Sequence, residues 1–144
     1  MDTLSYKLVT SERELKGALE VRRQVFVVEQ GVTEDEEYDG RDSESLHIVV
    51  KDGETVIGTA RVQFLTDNQA KIERMAILKP FRRKGIGSRI MAFLDEELRK
   101  RQVEHVVLHA QYPVVAFYRS CGFKETGSPF WEAGIKHIKM QRCI

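Results

Sequence analysis

Residues 72–90 read IERMAILKPFRRKGIGSRI, and this stretch decides the fold. Its first part, up to the lysine at 79, is apolar apart from Glu73 and Arg74, which is typical of a strand covered on both faces. Pro80 ends that strand. The apolar spacing from Ile86 onward is helical. The stretch therefore predicts a strand, a basic glycine turn and the beginning of a helix.

The glycine turn is Gly85-Ile86-Gly87, and it follows the basic residues Arg82-Arg83-Lys84. Glycines at a helix entrance let backbone N–H groups approach an anion, and the helix dipole adds a partial positive charge there. The turn is therefore expected to bind phosphate. A bulky β-branched side chain at Gly87 is expected to block the close approach of that phosphate. The alternative is a structural βα turn with solvated basic side chains.

Two common phosphate loops fit this turn poorly. A Walker loop ends in Gly-Lys-Ser/Thr, whereas Lys84 here precedes the glycines and Ser88 follows them. A dinucleotide fingerprint needs a third glycine where this chain has Ile90. Nucleotide binding by the turn is kept as an alternative, and it predicts that ATP stabilises the folded protein.

Size, charge and cysteine usage narrow the class of protein. The 144 residues predict a single domain, 1–144, and the net charge of +1 gives no electrostatic case for nucleic-acid binding. Cys121 and Cys143 lack metal-type spacing, so reduced thiols and no bound metal are expected. No targeting pattern and no apolar run long enough to cross a bilayer are present, which predicts a cytoplasmic protein without a membrane partner.

Periodicity and turn residues predict an order of strands and helices along the chain. Strands are predicted at 4–9, 46–50, 55–65, 72–78, 103–109, 123–127 and 135–141. Helices are predicted from Ser11 to residue 28 or 30, from 86 to 101 and from 114 to 120. A functional loop is expected at the acidic stretch 33–45, and residues 128–134 are expected to join the last two strands.

This order predicts an α/β (α+β) fold with a mixed, mostly antiparallel central sheet of about seven strands and helices on both faces. Strands 72–78 and 103–109 are joined through a helix, so they are expected to be parallel with a right-handed crossover. A ligand is expected between their carboxyl ends, at Leu78 and His109.

The run Met75-Ala76-Ile77, Pro80 and Arg82-x-x-Gly85-x-Gly87 resembles the acyl-CoA-binding motif of the GNAT superfamily of N-acetyltransferases. The predicted order of elements is similar to this acyl-CoA N-acyltransferase fold over essentially the full chain. The resemblance implies acetyl-CoA as the acyl donor, held partly by strand amides. The residues that it places at the donor are Met75, Ala76, Ile77, Arg82, Arg83, Lys84, Gly85, Ile86, Gly87, Ser88, Phe117 and Tyr118.

Residues 116–123, AFYRSCGF, resemble the second cofactor motif of the superfamily, in which a helix delivers a tyrosine toward the sulfur. The resemblance implies that Tyr118 is the general acid for the leaving thiolate. The structural alternative is a half-buried aromatic residue on a short amphipathic helix.

Three residues are candidates for the base that deprotonates the amine. Glu73 precedes Met75 by two positions, so strand alternation predicts that it faces the same side as Met75 and Ile77. A buried carboxylate there would suit an amine-activating base, unless an arginine pairs with it and holds the sheet. His109 and His137 are expected at the cleft, either as bases or as structural residues.

Four further segments resemble a branch of small uncharacterised bacterial acetyltransferases, namely residues 21–30, 44–50, 108–111 and 134–137. In that branch the first helix and the loop after it border the acceptor site. The resemblance places four residues at the acceptor mouth: Arg22, Phe26, Glu29 and Asp39. Acids there would favour a cationic amine, and the alternative is a solvated acidic face.

The predicted activity is an N-acetyltransferase that transfers the acetyl group of acetyl-CoA to a primary amine of a small molecule or peptide. Direct attack in a ternary complex is favoured because no cysteine is placed beside an evident base. The alternative is a non-catalytic acyl-CoA-binding sensor or regulatory module. The sequence does not identify the amine, and it leaves a homodimer open.

Overall fold

The computed structural model describes residues 3–144, which form seven strands and four α-helices. The prediction that Met1 and Asp2 belong to no targeting segment lies outside the described residues. The strands are β1 Leu4–Leu8, β2 Leu46–Asp52, β3 Thr55–Thr66, β4 Gln69–Ile77, β5 His105–Gln111, β6 Lys124–Glu132 and β7 Ile135–Cys143. The helices are α1 Glu12–Arg22, α2 Glu34–Glu37, α3 Ile86–Lys100 and α4 Val115–Ser120. A π-helical segment, Arg23–Glu29, continues α1.

The strands form one sheet in the order β1-β2-β3-β4-β5-β7-β6. Within residues 3–144, β4 and β5 are parallel and the other neighbouring pairs are antiparallel. The predicted mixed, mostly antiparallel sheet and its parallel crossover through α3 are therefore confirmed. Among the same residues, no helix has the length and apolar character needed to cross a bilayer.

Helices cover the sheet on both sides, as predicted. On one side, Ile90 and Leu94 of α3 are buried in the large core that the strands share. On the other side, Val21 of α1 and Val25 of the π-helical segment pack with Ala76 of β4. We call these two sides the α3 face and the α1 face.

A β-bulge in β4 changes which of its residues share a face. Arg61 of β3 pairs with Glu73 and Thr59 pairs with Ala76, so β4 carries one extra residue in this interval. Arg74 lies in the bulge with a φ of 55°. This value is uncommon outside glycine, and it marks the point where the regular alternation of side chains is interrupted.

The bulge makes one prediction wrong, namely that Glu73 faces the same side as Met75 and Ile77. Met75 and Ile77 pack against the core of the α3 face. Glu73 instead bonds to Arg61 on the α1 face. The extra residue between Glu73 and Met75 reverses the expected relation, because side chains alternate strictly only along an uninterrupted strand.

Beyond the bulge, β4 and β5 separate. Their pairing extends from Gln69 opposite His105 to Ile72 opposite Leu108, although both strands continue further. This confirms the predicted gap between their carboxyl ends, where the ligand site is expected.

The predicted loop at 128–134 is wrong, because β6 continues through it to Glu132 and the chain turns at Gly134, whose φ is 74°. Gly127 and Pro129 suggested a loop. However, β6 is an edge strand, where a shift in its pairing with β7 accommodates both residues.

Candidate active site

A cavity of about 1160 Å³ opens where β4 and β5 separate. Its walls come from both strand ends, the turn before α3, α4 and the π-helical segment. All four predicted catalytic residues line it: Glu73, His109, Tyr118 and His137. Ten further predicted donor residues also line it: Met75, Ala76, Ile77, Arg82, Arg83, Gly85, Ile86, Gly87, Ser88 and Phe117.

Lys84 is the one residue predicted to bind acetyl-CoA that does not line the cavity. Its Nζ lies 5.9 Å from the centre of the Phe81 ring. At this distance the ammonium group makes a cation–π contact with the ring.

The turn before α3 has the backbone of an anion-binding loop. Arg83 and Gly85 have φ values of 62° and 79°, in the left-handed region. Gly85 is the N-cap of α3, so the first N–H groups of the helix, which have no partner within the helix, lie at the cavity wall. A Cβ at Gly87 would lie 3.0 Å from Phe117 Cζ. The packing of Phe117 of α4 therefore leaves little space for a side chain at position 87, even without a bound ligand.

Arg82 connects this turn to two other elements. Its Nε donates to Ile77 O at 2.8 Å, and its Nη1 and Nη2 donate to both carboxylate oxygens of Glu29 at 2.6 and 2.7 Å. The hydrogen bond from Arg82 lowers the pKa of the Glu29 carboxyl. Glu29, predicted at the acceptor mouth, therefore lies beside the turn before α3, where Arg82 holds its carboxylate, and it is not among the residues that line the cavity.

Backbone amides of β4 face the gap. Leu78 N donates to Ile57 O of β3 at 2.9 Å. Successive N–H groups of a strand point in opposite directions. The N–H groups of Ile77 and Met75 therefore point away from β3 and toward β5, at the level where β5 no longer pairs.

Tyr118 lies half-buried on α4, with its ring at the edge of Phe117 and Phe123. Burial, with a smaller contribution from the nearby Cys121, raises the pKa of Tyr118 to about 12. The hydroxyl therefore keeps its proton at neutral pH and can act as a donor. Its side chain packs against the core of the α3 face.

Glu73 is held by ion pairs. Its Oε2 accepts from Arg61 Nε at 2.8 Å, from Arg61 Nη2 and from Gln63 Nε2 at 3.1 Å, and its Oε1 lies 3.3 Å from Lys71 Nζ. Arg61 itself is only 1% exposed. Both carboxylate oxygens are engaged, so the geometry favours the structural alternative for Glu73 over the role of a free base.

Arg61 also forms ion pairs with the acidic stretch 33–45, which we call the acidic loop. Arg61 Nη1 and Nη2 donate to Asp39 at 2.9 and 2.8 Å, and Arg74 Nη2 lies 3.5 Å from Asp39. The hydrogen bond from Arg61 strongly lowers the pKa of the Asp39 carboxyl. Asp39 lines the cavity, but these arginines match its charge, which weakens the expected attraction for a cationic amine.

Arg22 lies below this loop rather than at the acceptor mouth. It is completely buried, and its Nε and Nη1 donate to Glu37 Oε2 and Asp42 Oδ1, both at 2.6 Å. The prediction for Arg22 is therefore wrong, because its guanidinium compensates buried carboxylates. Phe26, the fourth predicted acceptor residue, does line the cavity.

A cluster of side chains on the cavity wall opposite to Tyr118 contains both candidate histidines. His109 Nδ1 lies 3.2 Å from Glu132 Oε2, and His137 Nδ1 lies 2.7 Å from Ile135 O. The ring of Phe130 contacts His109 by its edge and stacks on His137, with centroid distances of 5.0 and 5.8 Å.

Sequence reasoning missed Glu132, because it lay in a predicted loop. The available signal was the two-residue turn Ala133-Gly134.

Gln30 and Gln111 were also not predicted, and their amides exchange hydrogen bonds of 2.9 and 3.3 Å that join the end of the π-helical segment to β5.

Neither cysteine lines the cavity. Burial raises the pKa of the Cys121 thiol. Cys143 Sγ lies 3.4 Å from His105 Nδ1, so the expectation that no cysteine lies beside a base is wrong. That pair is at the far end of β5 and does not line the cavity. Across residues 3–144, no cluster of His, Cys, Asp and Glu side chains could hold a metal ion.

Comparisons with known proteins identify the family. Residues 6–143 match the acetyltransferase (GNAT) domain model. The chain is 38% identical to the uncharacterised N-acetyltransferase YjcF of Bacillus subtilis, over 94% of this chain and 96% of YjcF. An acyl-CoA N-acyltransferase from Pseudomonas aeruginosa superposes with a TM-score of 0.83 at 28% identity, covering 99% of each chain. A GNAT family acetyltransferase from Elizabethkingia anophelis, solved with acetyl-CoA bound, gives 0.77 at 14% identity over 100% of both chains. The chain therefore belongs to the GNAT family of acetyltransferases, and it is an acyltransferase.

Proposed function

We propose that the protein transfers the acetyl group of acetyl-CoA to a primary amine of a small molecule or peptide. The observation that carries this proposal is the gap between β4 and β5, which strand amides face from one side and a protonated tyrosine lines from another. Residues 1–144 act as one catalytic domain in this proposal, with acetyl-CoA as a substrate and without a metal.

The donor end of the cavity supplies three kinds of contact. The N–H groups of the turn at residues 82–88 suit the pyrophosphate of CoA. The N–H groups of Met75 and Ile77 suit the pantetheine arm and the negative charge that develops on the acetyl oxygen. Tyr118 supplies the proton that the departing thiolate needs.

Direct attack by the amine in a ternary complex is favoured over a covalent acetyl-enzyme. The thiolate is the nucleophilic form of cysteine, and burial raises the pKa of the Cys121 thiol. The other cysteine, Cys143, lies at the opposite end of β5 from His109. A transfer through either thiol is therefore disfavoured.

The acceptor end combines apolar and charged surface. Val25, Phe26 and Val32 contribute apolar surface to its wall. Arg61 and Arg74 pair with Asp39, and the carboxylates of Asp35 and Glu36 also line the cavity. This supports an amine with an apolar part that contacts Val25, Phe26 and Val32. The free thiols are compatible with a reducing cytoplasm, where we place the reaction. The near-zero net charge gives no support for a nucleic-acid partner, and a homodimer stays a prediction.

Replacing Tyr118 by phenylalanine tests the proposal, because it removes the hydroxyl and keeps the ring packing. We expect Tyr118→Phe to lower kcat by about 10²–10⁴-fold while the Kd for CoA stays within twofold. The assay is thiol release from acetyl-CoA with glycinamide, phenethylamine, agmatine and Nα-acetyl-lysine. The matched control is Tyr112→Phe, since Tyr112 is exposed and does not line the cavity.

Undiminished turnover in Tyr118→Phe would exclude the tyrosine as the acid. If the wild-type protein binds CoA calorimetrically but none of the amines increases thiol release, the sensor alternative is favoured. Stabilisation by ATP that exceeds stabilisation by CoA in a thermal melt would favour the nucleotide alternative, because a ligand that binds the folded state raises its Tm.

A further inference from the structure

The histidine cluster lies on the side of the gap opposite to Tyr118. Val106, Leu108 and Ala110 of β5 are buried in the core of the α3 face, so the alternate residue His109 lies on the α1 face. His137 shares that face, because it pairs with Gln111 in the β5–β7 register. An amine that approaches from the α1 face would therefore meet these histidines.

The hydrogen bonds of the cluster fix which ring nitrogen carries a proton. Glu132 accepts from His109, and that hydrogen bond lowers the pKa of the Glu132 carboxyl, which keeps it ionised. An ionised carboxylate only accepts hydrogen bonds, so Nδ1 of His109 is the donor and Nε2 is the basic nitrogen. The Ile135 carbonyl assigns the same tautomer to His137.

Two differences favour His109 over His137 as the base. His109 is partly exposed, whereas His137 is buried and stacks on Phe130. The partner of His109 is a carboxylate, which stabilises an imidazolium, while the partner of His137 is an uncharged carbonyl. Glu73, the carboxylate of β4 on the same face, is engaged by Arg61 and Lys71.

We propose that Glu132 positions His109 as the general base for the acceptor amine. This inference rests on the proposed function. As the amine nitrogen bonds to the acetyl carbon, its proton passes to His109 Nε2. The C–S bond breaks, and the thiolate takes the proton of the Tyr118 hydroxyl. The products are the N-acetylated amine and CoA thiol, and solvent then restores the protonation of both side chains.

Substitutions of His109 and Glu132 distinguish the role of the base from that of the positioning residue. His109→Asn keeps an N–H donor near the position of Nδ1 and removes Nε2, and we expect kcat/KM to fall at least about 10²-fold. Glu132→Gln keeps an acceptor oxygen but removes the charge that stabilises the imidazolium. We expect it to lower kcat/KM about tenfold through kcat, with KM little changed.

Other charged groups around the pair are Lys71 from β4 and, on β7, His137 and Lys139, which is opposite His109. The matched controls are His105→Asn on the same strand and Glu125→Gln, whose carboxylate bonds to Arg119 outside the cavity. Both controls should retain wild-type kcat/KM. The Tm and the Kd for CoA, measured for every variant, should change little, because the pair contacts the acceptor side.

The base assignment is overturned if His109→Asn keeps wild-type kcat/KM in an active enzyme. It is also overturned if ¹⁵N NMR of the imidazoles shows His109 as the Nε2–H tautomer, a readout that needs no turnover. Failure of the wild-type protein to release thiol with any amine is a different result. It overturns the proposed function, and the base assignment with it.

Discussion

Packing at Gly87 offers a quantitative test of how the donor turn is built. A Cβ at Gly87 would lie 3.0 Å from Cζ and 3.3 Å from Cε1 of Phe117. Alanine in place of glycine in a helix gains up to about 1 kcal/mol, whereas overpacking costs about 1–3 kcal/mol. We therefore expect Gly87→Ala to lower the free energy of unfolding by up to about 2 kcal/mol.

Gly87→Val should cost more, because two further methyl groups meet the same ring and valine is a poorer helix former than alanine. We expect a loss of about 3 kcal/mol, which corresponds to a Tm about 6–12 °C lower for a domain of this size. Urea unfolding without CoA measures the free energies. Isothermal titration with CoA then shows whether the folded variants still bind the donor.

A double-mutant cycle isolates the contact between the two residues. Phe117→Leu removes the ring atoms that the new Cβ would meet, so in that background Gly87→Ala should be neutral or stabilising. The expected coupling between Gly87 and Phe117 is about 0.5–3 kcal/mol. Additivity of the two substitutions within about 0.5 kcal/mol would refute the packing explanation. Phosphate access would then be the stronger reason for glycine at this position.

Two further predictions follow from ion pairs. Glu29→Gln releases Arg82 so that it can bind a phosphate group. Calorimetry should therefore give a Kd for CoA that is several-fold lower and more salt-dependent than that of the wild type. An unchanged Kd would contradict this role for the ion pair. The hydrogen bond from Lys7 lowers the pKa of Glu14 to about 2, so its contribution to stability is complete above the unfolded pKa of about 4.3 and is lost as pH falls toward 2. Urea unfolding from pH 6 to pH 2 should therefore show a difference between the wild type and Glu14→Gln that shrinks with acid, and a constant difference would exclude the linkage.

Local signals were sufficient for the order of elements and for the donor turn. Ser11 caps α1 by accepting from Glu14 N–H at 3.2 Å, as its capping-box sequence predicts. Gly85 adopts the left-handed conformation at the entrance of α3. Such features depend on neighbours within a few residues, so they can be inferred without knowing the tertiary structure. The parallel crossover then follows from chain topology.

The reactive part of the cavity depended on features that have no local signal. The bulge at Arg74 reverses the orientation of Glu73 relative to Met75, and nothing in the sequence marks a β-bulge at an arginine. Arg61, which lies twelve positions before Glu73 along the chain, determines that this carboxylate is paired. Edge position, rather than composition, allows β6 to include Pro129.

The bulge in β4 accounts for several properties of the site together. The extra residue ends regular alternation just beyond Ile72, the last residue of β4 that pairs with β5. It turns Glu73 toward Arg61, which removes that carboxylate as a free base. It also directs Met75 to the α3 face, where Tyr118 packs. In the proposed mechanism the proton donor Tyr118 therefore acts from the α3 face, and His109, on a neighbouring strand that the bulge does not alter, acts as the base from the α1 face.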